Sequence, residues 1–180
     1  CRENKAKLCI HWPGGAIKKL VAKIEHPGNR GYGIFQGQIK PHNIHDSYLT
    51  ASMYFFYTKY RARSGNIWKA LKQTNFIGHG AGWRIERFLD DMAGKIRGGY
   101  LSHDIVESVF SKTAYVYDVV TSEEIPPNLF LQLRQWERWW KGNRMAFVFF
   151  GNRVPGETGE LIENPATLVN KYLLFLTSKS

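Results

Sequence analysis

Ala16-Ile17-Lys18-Lys19-Leu20-Val21-Ala22-Lys23-Ile24-Glu25 and, after a short break, Tyr32-Gly33-Ile34-Phe35-Gln36 carry the reading of the fold. In the first stretch Ala16, Ile17, Leu20, Val21 and Ile24 recur at helical spacing. Pro27-Gly28-Asn29 ends that helix. The second stretch is short, apolar and bounded by turn residues, which predicts a buried strand. Upstream, His11-Trp12-Pro13-Gly14-Gly15 is a turn whose Pro13 suits a helix start. A helix, a turn and a strand of the parallel type open an α/β domain.

The rest of the chain continues that alternation. Asp46 caps a helix expected to run to about Arg63, with Tyr54, Phe55, Phe56, Tyr57 and Tyr60 along it. A short helix at Trp68–Lys72 and a short strand at Thr74–Ile77 follow, then the glycine-rich loop Gly78-His79-Gly80-Ala81-Gly82. Arg84–Asp91 reads as helical, Gly94–Gly99 as a loop and Leu101–Phe110 as a helix with Asp104 and Glu107 in capping-box spacing. Thr113–Val120 is β-branched and aromatic, a strand. Pro126-Pro127-Asn128 opens a long helix through about Gly142. Gly151–Gly159 reads as a polar loop and Asn164–Leu176 as a last apolar helix. Residues 1–150 are thus expected to form the main domain, and 151–180 a loop and helix leading toward a membrane-spanning region beyond the chain.

Composition narrows the class. The chain has 180 residues, 43% hydrophobic and 22% charged, which excludes an intrinsically disordered chain. The longest apolar run, Met145 to Phe150, is too short to span a bilayer. Cys1 and Cys9 make neither a disulfide framework nor a zinc site. The net charge is +10, and residues 151–180 balance three bases against three acids, so the excess lies in residues 1–150. Between Asp46 and Glu86 there is no acid, yet Lys59, Arg61, Arg63, Lys69, Lys72 and Arg84 fall there. Such a field attracts nucleic acid, an anionic membrane surface or a nucleotide diphosphate alike. Bases interleaved with aromatics from Tyr54 to Lys72 would suit single-stranded nucleic acid. No recognised nucleic-acid or zinc motif accompanies them.

Three clusters carry candidate chemistry. Gly78–Gly82 is either a phosphate cradle of backbone N–H groups or a tight turn. Asp104, beside Ser102 and His103 at a helix start, is either a general base or a helix cap; taken alone, the cap is the plainer reading. Gln135-Trp136-Glu137-Arg138-Trp139 is either an amphipathic helix face or a grip for a diphosphate and a sugar.

The order of the clusters resembles a family. Gln135-x-x-Arg138-Trp139 is similar to the Q-x-x-R-W signature of processive family 2 glycosyltransferases, which include cellulose, chitin and hyaluronan synthases. In that family an acidic motif carrying the catalytic base precedes it, and Ser102-His103-Asp104 looks like its counterpart. The membrane glucosyltransferases that make osmoregulated periplasmic glucans are closer. They have blocks similar to Leu101-Ser102-His103-Asp104-Ile105-Val106-Glu107 and Glu123-Glu124-Ile125-Pro126-Pro127-Asn128-Leu129. They also have a G-H-N-A-x-x-R loop like Gly78-His79-Gly80-Ala81-Gly82-Trp83-Arg84 and a G-I-I-Q strand like Gly33-Ile34-Phe35-Gln36. Gly80 stands where that loop has Asn, and the family's D-x-D motif has no counterpart near Lys7-Leu8-Cys9.

The resemblance implies a partial GT-A-like domain, α/β, with short, mostly parallel strands and flanking helices. It implies inverting transfer of glucose from UDP-glucose to a growing β-glucan, with catalysis at the cytoplasmic side of a membrane. By the same resemblance Asp104 is the base, with His103 tuning it. Gln135, Arg138, Trp139, His79 and Arg84 bind substrate. A Mg²⁺ or Mn²⁺ ion is expected from the family, with its ligands upstream of this chain or lost. No nucleic-acid partner is expected. A pseudoenzyme of the same fold is the other outcome of a missing D-x-D.

Overall fold

The computed structural model describes residues 11–55, 72–93, 95 and 103–177. Cys1, Cys9, Lys59, Arg61, Arg63, Lys69 and Ser102 lie outside the described residues, as do residues 56–63 of the helix expected from Asp46, all but Lys72 of the helix expected at Trp68–Lys72, and most of the loop at 94–99. The first helix, α1, spans Ala16–Glu25, and a 3₁₀ turn at Pro27–Asn29 ends it. Strand β1 follows at Ile34–Pro41. Residues 48–55 are helical (α2). Then come β2 (Ala81–Trp83), α3 (Ile85–Met92), α4 (His103–Phe110) and β3 (Thr113–Glu123). Next is α5 (Leu129–Met145), with a 3₁₀ turn at Ala146–Phe150. Strands β4 (Arg153–Pro155) and β5 (Leu161–Glu163) and helix α6 (Leu168–Thr177) complete the order.

The main sheet has three strands in the order β2-β1-β3. β1 is central, and Ile34, Phe35 and Gln36 are all buried, so both its faces are covered, as its unbroken apolar run requires. β3 lies parallel to β1 and β2 antiparallel, while β4 and β5 form a separate antiparallel pair. The expectation of mostly parallel strands is therefore corrected: the architecture is α/β, but the sheet is small and mixed. The expected strand at Thr74–Ile77 is also absent. Its backbone bonds go elsewhere: the Ile77 N–H donates to the Gln36 side-chain oxygen at 3.0 Å, and the Thr74 N–H to the Thr113 carbonyl at 2.8 Å. The expected loop at Gly151–Gly159 contains β4 instead, because Val154 is drawn into the core.

Two cores result. Ala16 and Leu20 of α1 pack on Phe35, Val116 and Val119 of the sheet. Ile17 and Val21 remain exposed, so the buried stripe of α1 is narrower than its apolar spacing suggested. The second core joins Val106 and Val109 of α4 to Ala146, Phe149, Val154, Leu173 and Leu174. Residues after 150 thus share a core with α4. The Asn170 side-chain amide, donating to the Val109 carbonyl at 2.7 Å, reinforces that junction. α4 is therefore anchored by its apolar face, and its first turn is left to face the sheet's loop.

Candidate functional site

The site lies beyond the carboxyl ends of the parallel pair β1 and β3, where open α/β sheets place their ligands. Four elements build it. β1 supplies Gln36, which is almost wholly buried. Its amide donates to the carbonyls of Gly37 (3.0 Å) and His79 (3.1 Å), and its oxygen accepts from the Ile77 N–H. A buried amide must be satisfied in this way, and here its partners are the backbone of the glycine-rich loop. Gly78 and Gly80 hold φ of +83° and +64°, the left-handed region that lets the chain double back onto β1. Gln36 thus fixes the path of the loop.

α4 supplies the acid. Asp104 sits in its first turn, and a Cβ placed on Gly78 would lie 3.8 Å from the Asp104 Cβ. The Asp104 carboxyl is pushed above its ordinary value, and burial is the main cause. His103, the N–H groups of Ile105 and of Asp104 itself, and His79 all pull the other way without winning. Glu107, one turn on, is also raised, by burial and by the neighbouring Asp104 charge, against the pull of His103. The His103 Nδ1 stands 3.6 Å from a Glu107 oxygen, and its ring is mostly exposed. A buried carboxyl raised in this way is a stronger base once ionised, which is what proton abstraction from a hydroxyl needs.

β3 supplies Glu123 at its carboxyl end, bonded to the His79 Nε2. The His79 Nδ1 faces the Ile77 carbonyl at 3.0 Å. Both ring nitrogens of His79 are therefore engaged by protein acceptors. Sequence reading passed over Glu123 and Gln36 as site residues. Both fall in stretches that resemble the family, Gly33–Gln36 and Glu123–Leu129, but nothing local marked either as a site residue, since the partner of each lies far along the chain.

Of the remaining candidates, Arg84 lies apart from this cluster and three others stand on α5. Arg84 follows β2 at its far end, where its N–H donates to the Gly33 carbonyl at 2.9 Å and its guanidinium to the Ile24 carbonyl. With Arg30, Glu86, Arg87 and Asp90 it lines an open cleft of about 370 Å³ at the amino end of β1. Gln135, Arg138 and Trp139 stand on α5, which begins where the Asn128 side chain accepts the Leu131 N–H at 3.0 Å. Gln132 is the buried anchor of that helix and donates to the Gln135 side-chain oxygen at 3.4 Å. Arg138 is exposed and Trp139 is 37% exposed, about 100° apart around the helix. Among the described residues no group of three or more His, Cys, Asp or Glu side chains is placed to hold a metal ion.

Comparison with known proteins bears on this arrangement. The chain is 33% identical over 153 residues to a protein named glucans biosynthesis glucosyltransferase H from Pseudomonas paraeruginosa. Proteins of the same name from Klebsiella pneumoniae and Pectobacterium carotovorum are 29% and 30% identical over 152 residues. Each match takes in 76% of this chain. The chain is homologous to one region of the glucan-biosynthesis glucosyltransferases. It spans only 17–18% of the length of these relatives. No protein-family model matches it. The homology does not favour the nucleic-acid reading, and most of the basic, aromatic stretch behind that reading lies outside the described residues. No helix among the described residues is long and apolar enough to cross a membrane.

Proposed function

We propose that this region belongs to an inverting glucosyltransferase that moves glucose from UDP-glucose onto a growing β-glucan at the cytoplasmic face of a membrane, with Asp104 as the general base. The observation that carries the reading is the buried, raised carboxyl of Asp104 beside the glycine-rich loop, at the carboxyl end of the parallel strands. In the reaction the acceptor hydroxyl oxygen bonds to C1 of the glucose. The bond from C1 to the UDP oxygen breaks, and UDP leaves with the electron pair. Asp104 takes the hydroxyl proton. His103, exposed on the same turn, stabilises the ionised form of Asp104. By resemblance, Arg138 contacts the diphosphate and Trp139 stacks on the acceptor sugar, with Gln135 beside them. A Mg²⁺ or Mn²⁺ ion would neutralise the leaving diphosphate. The described residues do not form a site for one, and no step above depends on it.

The test is Asp104→Asn in the full-length protein. Turnover should fall by about two to four orders of magnitude, the usual share of general-base catalysis, while UDP-glucose affinity holds. Near-normal turnover would leave Asp104 a plain acid in the first turn of α4.

A further inference from the structure

The pair formed by Glu123 and His79 has no part in the chemistry above, yet it borders the base. His79 follows Gly78, the residue packed against Asp104, and its side chain and that of Glu123 are each about four-fifths buried. The Nδ1 of His79 faces a carbonyl oxygen and its Nε2 a carboxylate. Neither partner can donate, so only the imidazolium, with an N–H on each nitrogen, satisfies both. The backbone of the same loop is already held by Gln36 through the His79 carbonyl and the Ile77 N–H. Glu123 is therefore not needed to hold the loop's path. What it adds is a negative charge on the ring.

We propose that Glu123 is a positioning residue, which grips the His79 ring and keeps it cationic and oriented beside Asp104. The charged groups acting on Asp104 are His103, on its own helix, and His79, from the loop; Glu107 is the acid that shares its face. Glu123 acts through His79. The effect is to favour the ionised carboxylate that abstracts the proton, against the burial that opposes it. This rests on the reading of Asp104 as the base.

The experiment follows glucosyl transfer from UDP-glucose against pH in the full-length protein, for wild type, Asp104→Asn, Glu123→Gln, His79→Gln and the double variant Glu123→Gln/His79→Gln. Glu123→Gln keeps an acceptor for the ring but removes the charge. It should lower kcat about ten- to a hundredfold, what losing a charge-assisted hydrogen bond amounts to. KM for UDP-glucose should be unchanged, and the acid limb of the kcat profile should move to higher pH. That direction follows because Asp104 without a neighbouring cation takes up its proton sooner on acidification. The double variant should be no worse than either single one. Wild-type kcat and an unmoved acid limb in Glu123→Gln, with Asp104→Asn inactive, would overturn the positioning role and leave the base standing. Parallel loss of kcat, KM and thermal stability in Glu123→Gln would overturn it too, as a structural role. Near-normal turnover in Asp104→Asn would overturn the base and the positioning role together.

Discussion

Asp104 shows two residue-scale forces in competition. The first turn of a helix and nearby imidazoles favour a carboxylate, but burial is the stronger effect and raises the carboxyl. The sign for stability follows. A group whose folded value lies above its unfolded one binds its proton more tightly when native. Its stabilising share is full below the ordinary carboxylate range and is lost as pH rises through the folded value. At neutral pH the ionised Asp104 therefore weakens the fold, and Asp104→Asn should melt above wild type. Each 1 kcal/mol so gained raises the midpoint by about 2–4 °C for a chain of this size. The difference should close on acidification below the ordinary carboxylate range. Glu107→Gln should behave alike, since burial and the Asp104 charge raise it. Thermal melts at neutral and acid pH make the check, and an Asp104→Asn midpoint below wild type at neutral pH would refute the account. The same two forces explain what was legible. An Asp three residues before a Glu marks a helix start in any sequence. The structure puts Asp104 inside the first turn of α4 rather than at its cap, and the burial that raises its carboxyl comes from the fold, which also brings Gly78 near.

At the scale of elements, the sequence reads well where the signal is local. The apolar spacing of α1, the Asn128 cap of α5 and the β-branched run of β3 all needed only neighbours along the chain. It reads poorly where an element exists because of a distant partner. β2 contains two residues of the glycine-rich loop, Ala81 and Gly82, both poor strand formers; pairing with Ile34–Gln36 makes it a strand. Segment 74–77 has strand residues but bonds to the Gln36 side chain instead. Gly37 is the sharpest case. The β1–β3 register shifts there, from Gly37 opposite Val116 to Gln38 opposite Val120. The bulge on β3 brings the Val119 carbonyl against β1, while the Gly80 carbonyl comes in from the loop side. A Cβ on Gly37 would lie 2.9 Å from each of these oxygens. Both are backbone atoms and cannot swing aside. Gly37→Ala should therefore cost about 1–3 kcal/mol, the range for forcing extra atoms into a packed interior. A denaturant midpoint equal to wild type would show that the bulge relaxes freely.

For the whole molecule, charge and ligand supply point in different directions. The +10 excess draws anions, so a nucleotide diphosphate will be attracted to the surface. Attraction is not a site. Hard cations need several oxygen ligands, and among the described residues no three acids or histidines converge. The acids before Asp46 are only Glu3 and Glu25, too few for a metal and diphosphate cradle in that part of the chain. Arg138 is exposed on α5, and the loop's ring nitrogens are already taken by Glu123 and Ile77. What remains is exposed charge, which salt screens within about 10 Å at 0.1 M. The matched region makes up only 17% of the length of such a relative. The 180-residue chain by itself should therefore bind UDP-glucose weakly, with affinity falling steeply as salt rises and with no gain from Mn²⁺, and should transfer no glucose. Calorimetric titration with UDP-glucose at low and high salt, with and without Mn²⁺, separates the cases. Tight binding that requires Mn²⁺ and survives salt would mean that the chain holds a complete nucleotide site, with ligands among the residues outside the described ones.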